Sequence, residues 1–243
     1  METELKRSGN FSSSSIHMLM SKGAGNWKLE NIGKPFSTYV QNKVWENKLG
    51  RELNKEQKAR STTWGTFVES IVFANPNYIG MEYELISQDR IVHPTIPQWT
   101  GAPDCLTIDK QVVVDIKCPW TLNSYCGLVD AMRGGVESLK KYSPTYYWQL
   151  VSSSILTGAP FAELIVYVPS LVDLEEIKKD ADGNGDLYFI VFALDEELPY
   201  LTAGKYYQNI EKLRFEVPQT DKELLTSRVE MAVKELNKQL NNK

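Results

Sequence analysis

Long apolar runs are missing from this chain. None approaches the roughly 18 to 20 residues of a membrane span, so no membrane partner is expected. The segment from Met1 to Asn10 also lacks the apolar core of a signal peptide, and a cytoplasmic protein is expected. Cysteine is scarce: Cys105, Cys118 and Cys126 are odd in number and show no C-x-x-C spacing, which favours reduced structural thiols over a disulfide framework or a thiolate metal site. Histidine is scarcer still, and His17 and His93 are too far apart and too poorly accompanied for a zinc site. No G-x-S-x-G surrounds Ser152, Ser153 and Ser154, which removes support for a serine hydrolase. Internal repeats and low-complexity linkers are also lacking, so the 243 residues are expected to form one domain.

What is present is ordinary in bulk, with 42% hydrophobic and 24% charged residues. The net charge of -4 argues at first against a nucleic-acid partner. Its distribution is uneven: residues 1–60 carry a balance of +5 and the remainder -9, which leaves room for a local basic surface.

The pattern along the chain predicts a helical N-terminal part over 1–80, a sheet core with helices over 81–195 and C-terminal helices over 196–243. Residues 11–21 read as a serine-capped helix carrying Ile16, Leu19 and Met20, and 22–35 as a loop. Residues 36–53 read as an amphipathic helix with Tyr39, Val40, Val44 and Leu49 on its stripe, weakened by Gly50. A second helix is predicted over 62–75, ending before Pro76. Strands are predicted at 81–87, 104–109, 111–117, 161–169 and 186–194, the last two paired with each other. Further helices are predicted at 121–132, 136–142, 143–158, 199–214 and 220–241. The fold class is α/β (α+β), a central mixed sheet flanked by helices. Asp180 to Asp186 begins like a calcium loop, but its twelfth position is Val191 where a glutamate is needed, so a turn between strands is expected.

The chemistry concentrates at residues 101–120, GAPDCLTIDKQVVVDIKCPW. If 104–109 and 111–116 form a hairpin turning at Asp109-Lys110, paired positions sum to 219, and Asp104 faces Asp115. Cβ atoms so paired lie about 4.5–5.5 Å apart, and two carboxylates at that separation call for a cation between them. Lys117 shares the face of Asp115, while Ile116 points to the opposite, apolar layer and leaves its backbone carbonyl as a further oxygen ligand. Carboxylate and carbonyl oxygens suit Mg²⁺, with Mn²⁺ as a substitute. Lys117 beside such an ion would position a water or stabilise charge developing on a phosphate.

Pro103-Asp104 followed by Asp115-Ile116-Lys117 matches the PD-(D/E)xK nuclease signature. Four further stretches resemble the phage lambda exonuclease type, which includes the YqaJ-like viral recombinases. Arg7-Ser8-Gly9-Asn10-Phe11-Ser12-Ser13-Ser14 with Ile16-His17 is similar to the family's R-x-G-x-I-T-x-S-x-V-H segment, and Trp64-Gly65-Thr66-Phe67-Val68-Glu69 to its W-G-x-x-x-E helix. Lys117-Cys118-Pro119-Trp120-Thr121 resembles K-C-P-F-T, and Arg133-Gly134-Gly135-Val136-Glu137 resembles L-G-G-F-E. Gln149 falls where these enzymes carry a glutamine.

The resemblance implies a restriction-endonuclease-like core and a metal-dependent 5′-3′ exonuclease acting on double-stranded DNA ends, leaving 3′ tails for recombination. It implies Asp104 and Asp115 as metal ligands, Glu69 as an acidic residue beside them, Lys117 as catalytic lysine and Gln149 as a residue holding the site. Arg7 and Ser14 match positions that grip the DNA 5′-phosphate, for which bidentate arginine–phosphate pairing gives a physical reason. A homo-oligomeric ring, commonly a trimer, a single-strand annealing partner and, for a phage protein, the host cytoplasm are implied too. The chain departs from the pattern at Asn123, in place of a second phosphate-binding arginine, and at Ala102, in place of a serine. Trp27, in a Gly-flanked basic loop, is the aromatic best placed to meet DNA. Two alternatives are an endonuclease or repair nuclease on the same fold, and a catalytically weak DNA-end-binding recombination protein.

Overall fold

The computed structural model describes residues 8–23, 31–53, 59–75, 80, 83–85, 90–202 and 206–241. Arg7, Trp27 and most of the strand predicted at 81–87 lie outside the described residues.

The chain enters through a two-residue strand, β1 (Phe11–Ser12), and a 3-10 helix over Ser13–Met20. The capped helix predicted there therefore starts later and winds more tightly. Ile16 and Leu19, three apart, stack on one side of a three-per-turn helix and are both fully buried. Helix α1 (Lys34–Leu49) carries Pro35 in its first turn, where the missing N–H costs nothing, and stops at Gly50, whose φ of 68° is the left-handed cap glycine supplies. Gly50 thus ends the helix rather than weakening it, and Leu49, expected on the buried stripe, is exposed. Helix α2 (Arg60–Ala74) buries Trp64, Val68 and Val72 at four-residue spacing.

Strands β2 (Tyr83–Leu85), β3 (Ile91–Val92), β4 (Trp99–Gly101), β5 (Cys105–Thr107) and β6 (Val112–Lys117) follow. Three helices then cross over, α3 (Leu122–Arg133), α4 (Val136–Tyr142) and α5 (Pro144–Thr157), before β7 (Phe161–Tyr167). Helices α6 (Leu171–Ala181) and α7 (Tyr188–Val191), strand β8 (Ile210–Glu216) and helix α8 (Gln219–Asn241) complete the chain. The main sheet has five strands in the order β2-β5-β6-β7-β8, with β6 and β7 parallel and the other pairs antiparallel; a small sheet, β1-β4-β3, lies apart from it. The central mixed sheet flanked by helices is as expected.

Two predicted elements exchange identity. Residues 186–194 were expected to be the strand beside 161–169, but α7 lies there, and β8 takes the sheet edge across positions expected to be helical. Leu187 and Ile190 are buried three apart while Tyr188, Phe192 and Leu194 are exposed, a helical arrangement hidden within β-rich composition. In β8 the exposed Lys212, Arg214 and Glu216 alternate with the inward Leu213 and Phe215, a charged face that suits an edge strand guarded against further pairing. The calcium-like segment is bounded by α6 and a 3-10 turn over Gly185–Leu187, not by strands.

The sheet separates two apolar layers. Val113, Ala162, Leu164 and Val166 face a core built on α1, α3, α5 and α8, and Val112, Val114, Ile116, Ile165 and Tyr167 face one built on α2 and α6. Strand alternation therefore puts Asp115 and Lys117 on the first side and Ile116 on the second.

Candidate active site

The β5–β6 hairpin fixes the centre of the site. Cys105 pairs with Val114 and Leu106 with Val113, the register of the sum 219. The turn differs in detail: Lys110 N–H donates to the Thr107 carbonyl at 2.8 Å, Lys110 takes a φ of 59°, and the Thr107 hydroxyl donates to Asp109 while accepting the Val112 N–H. The loop is thus a longer one built on a β-turn rather than a tight turn at Asp109-Lys110.

Asp104 precedes β5, and its Oδ2 accepts the backbone N–H of Ile116 at 2.7 Å. Asp115, 2% exposed, receives the Gln149 amide on Oδ1 at 2.7 Å. Its Oδ2 lies 2.6 Å from the Lys117 ammonium, an ion pair rather than an aligned hydrogen bond. The same ammonium donates to the Ile116 carbonyl at 3.2 Å and sits 5.4 Å from the centre of the Tyr146 ring. Helix α5 thus serves Asp115 from one side of the sheet with Gln149. From the other side α2 presents Glu69, close enough to Asp104, Asp115 and Lys117 to interact with all three. Trp64 anchors α2 by packing edge-on against Trp120, their ring centres 5.5 Å apart.

Electrostatics set this cluster apart. Burial, followed by repulsion from Asp104 and Asp115 against the pull of Lys117, raises the Glu69 carboxyl to about 8. Burial and Asp104 likewise push Asp115 up to about 7, with Lys117 opposing. Burial pulls the pKa of the Lys117 ammonium down, but the carboxylates of Asp115, Asp104 and Glu69 outweigh burial and raise it above its ordinary value. Titratable groups pushed this far by burial and mutual charge concentrate at functional sites.

The donor set of three carboxylates and the Ile116 carbonyl is the chemistry of a hard divalent cation, whose charge would relieve the repulsion that raises Glu69 and Asp115. Among the described residues no three His, Cys, Asp or Glu side chains form a ready-made metal cage, and the Lys117 ammonium serves as the local cation. In donor chemistry the residues fit such an ion.

Above the cluster lies a cleft of about 760 Å³. Glu69, Thr66 and Thr62 line it from one face of α2, and Thr121, Ser124, Thr145 and Tyr146 from the starts of α3 and α5. Thr121 caps α3 by accepting the Ser124 N–H, and Ser143 caps α5 by accepting the Tyr146 N–H. The starts of α2, α3 and α5 therefore all border one opening, and helix N-termini favour anions.

Of the residues singled out from sequence, Glu69, Asp104, Asp115, Lys117, the Ile116 carbonyl and Gln149 come together. Ser14 does not join them. It is exposed, its hydroxyl is 3.2 Å from that of Ser12, and it does not line the cleft. Asn123 and Ala102 are exposed and also outside the lining. Sequence reasoning missed Tyr146 and Trp120. The signal for Tyr146 was present, since it lies three residues before Gln149 and so on the same helical face.

Comparison with known proteins adds the fold. No family model matches the chain, and no curated protein matches it in sequence. Among solved structures, an alkaline exonuclease (LHK-Exo) from Laribacter hongkongensis matches with a TM-score of 0.62 at 18% identity, over 96% of this chain and 91% of that one. The same enzyme in complex with dAMP matches with a TM-score of 0.62 at 18% identity, over 98% and 92%. A phage-related exonuclease from Haemophilus somnus 129PT matches with a TM-score of 0.62 at 15% identity, over 94% of each chain. At the level of the fold, the resemblance noted in the sequence holds.

Proposed function

We propose that this chain is a metal-dependent deoxyribonuclease that digests double-stranded DNA from its ends, 5′ to 3′, leaving 3′ single-stranded tails for recombination. The observation that carries the proposal is the grouping of Asp104, Asp115, Glu69, Lys117 and Gln149 at the foot of a cleft bordered by three helix N-termini. The shared fold with two exonucleases supports the same reading.

Asp104, Asp115, Glu69 and the Ile116 carbonyl would hold Mg²⁺ or Mn²⁺, which when bound supplies Lewis-acid stabilisation of a phosphodiester's developing charge and leaving oxygen. Gln149 fixes the orientation of Asp115 through its 2.7 Å hydrogen bond. Lys117 turns its ammonium from Asp115 toward the phosphate and the attacking water, where a fixed positive charge counts most in a site shielded from solvent. The helix starts and their hydroxyls, Thr62, Thr121 and Thr145 among them, receive the anionic backbone. Arg7 and Ser14 as a 5′-phosphate grip, a ring-shaped homo-oligomer and a single-strand annealing partner belong to this proposal through the sequence resemblance.

End-labelled linear duplex and closed-circular duplex, each incubated with Mg²⁺ and with EDTA, test the proposal. Progressive shortening of the linear DNA with Mg²⁺, with the circle left intact, is expected. Rapid cutting of the circle would favour the endonuclease alternative, and digestion in EDTA would refute a metal-dependent enzyme.

A further inference from the structure

Tyr142 closes α4, and its side chain is half exposed, at 52%. It forms part of the wall of two cavities, the cleft above Lys117 and a groove of about 640 Å³ along α3 lined by Gly127, Ala131, Ser138, Lys141 and Asp130, whose carboxylate accepts the Tyr207 hydroxyl at 3.1 Å. Helix α3 borders both: Ser124 and Leu128 face the cleft, and Gly127 and Ala131, adjacent on the helical surface, face the groove. The position of the ring is built in. A Cβ at Gly127 would come within 2.8 Å of Tyr142 Cζ and closer still to its hydroxyl, so the glycine leaves the room in which the phenol lies against the backbone of α3. Glycine weakens a helix interior, which makes its presence here informative.

Outside that lining the Arg133 guanidinium lies 4.6 Å from the centre of the Tyr206 ring, and that tyrosine is 64% exposed. The groove has the volume of a small-ligand pocket, enough for a nucleotide or two and too little for a duplex. Exposed aromatic rings next to a lysine are what an unpaired strand requires, because bases stack on rings and phosphates seek the cation.

We propose that Tyr142 is a stacking ridge for an unpaired nucleobase: the strand whose phosphate lies in the cleft passes over Tyr142 into the α3 groove, with Lys141 beside its backbone. The inference rests on the nuclease proposal and adds to it a single-strand subsite next to the reacting phosphate.

The test uses the Lys117→Ala protein with Mg²⁺, which keeps the DNA intact, and a duplex whose short single-stranded 5′ end carries 2-aminopurine. Binding is expected to quench the fluorophore. Adding Tyr142→Ala should abolish the quench and weaken binding about tenfold, the size of one lost stacking contact. Tyr142→Phe should retain both, which separates stacking from any effect on folding. Unchanged quenching and affinity in Tyr142→Ala, with wild-type digestion intact, would overturn the ridge and leave the nuclease proposal standing. Absence of both digestion and DNA binding in the wild-type protein would overturn both.

Discussion

The Gln149 amide donates to Asp115 Oδ1 at 2.7 Å, tying a helix on one face of the sheet to the carboxylate at the end of its central strand. Removing the amide leaves Asp115 buried with one oxygen unsupported. Gln149→Ala is expected to lower the rate of Mg²⁺-dependent digestion by about 10- to 100-fold, the usual cost of losing a partner that orients a ligand. Gln149→Glu should do worse, because it adds a further carboxylate to a cluster already strained by charge. Steady-state digestion of labelled duplex measures both, and equal rates in all three proteins would remove Gln149 from the site.

The hairpin offers a stability test. Lys110 holds a φ of 59° in the turn that sets the register of β5 on β6, a conformation that costs an L-residue about 1–2 kcal/mol and glycine far less. Lys110 is exposed. Lys110→Gly should raise stability by up to about 1 kcal/mol after glycine's greater freedom in the unfolded chain is offset. Urea unfolding reads this directly, and a clear loss of stability would argue against the turn.

The carboxylate cluster makes stability depend on pH. In the folded protein Glu69 is raised from 4.5 to about 8 and Asp115 from 3.8 to about 7 by burial and mutual repulsion. An acid with a raised folded pKa holds its proton better in the native state. Its favourable contribution is therefore complete below the unfolded value and is lost as pH climbs through the folded one. In EDTA the melting temperature should fall between about pH 5 and pH 8.5. Added Mg²⁺ should stabilise the protein more at pH 8.5 than at pH 5, since it binds the deprotonated cluster. A Mg²⁺ shift of equal size at both values would mean that the ion does not bind these carboxylates.

The β5–β6 hairpin was legible because it obeys local rules. A period of two in β6 and one turn fix which side chains face each other, and the register of the sum 219 followed from those alone. Glu69 and Gln149 could not be found that way, since each arrives from a helix on an opposite face of the sheet, and nothing in their own segments marks them as partners of Asp104 or Asp115. Only the motif resemblance singled them out. The exchange between α7 and β8 shows where composition misleads. Tyr188, Phe189, Ile190 and Val191 carry strand-like side chains, yet β8 already occupies the edge beside β7, and charged Glu211, Lys212 and Arg214 disguised that strand as a helix. Tyr142 was invisible to sequence reasoning because its significance comes from the bare backbone of Gly127 across from it.

Lys117 is where these lines of argument meet, as its ammonium is 2.6 Å from Asp115 and borders the cleft. The decisive measurement is digestion of end-labelled linear duplex with Mg²⁺ by the wild-type and Lys117→Ala proteins, alongside a binding assay with the same DNA. The account predicts that Lys117→Ala loses digestion by at least about 100-fold, the scale of a lost electrostatic contact to the transition state, while DNA binding persists. Digestion at the wild-type rate by Lys117→Ala would contradict it.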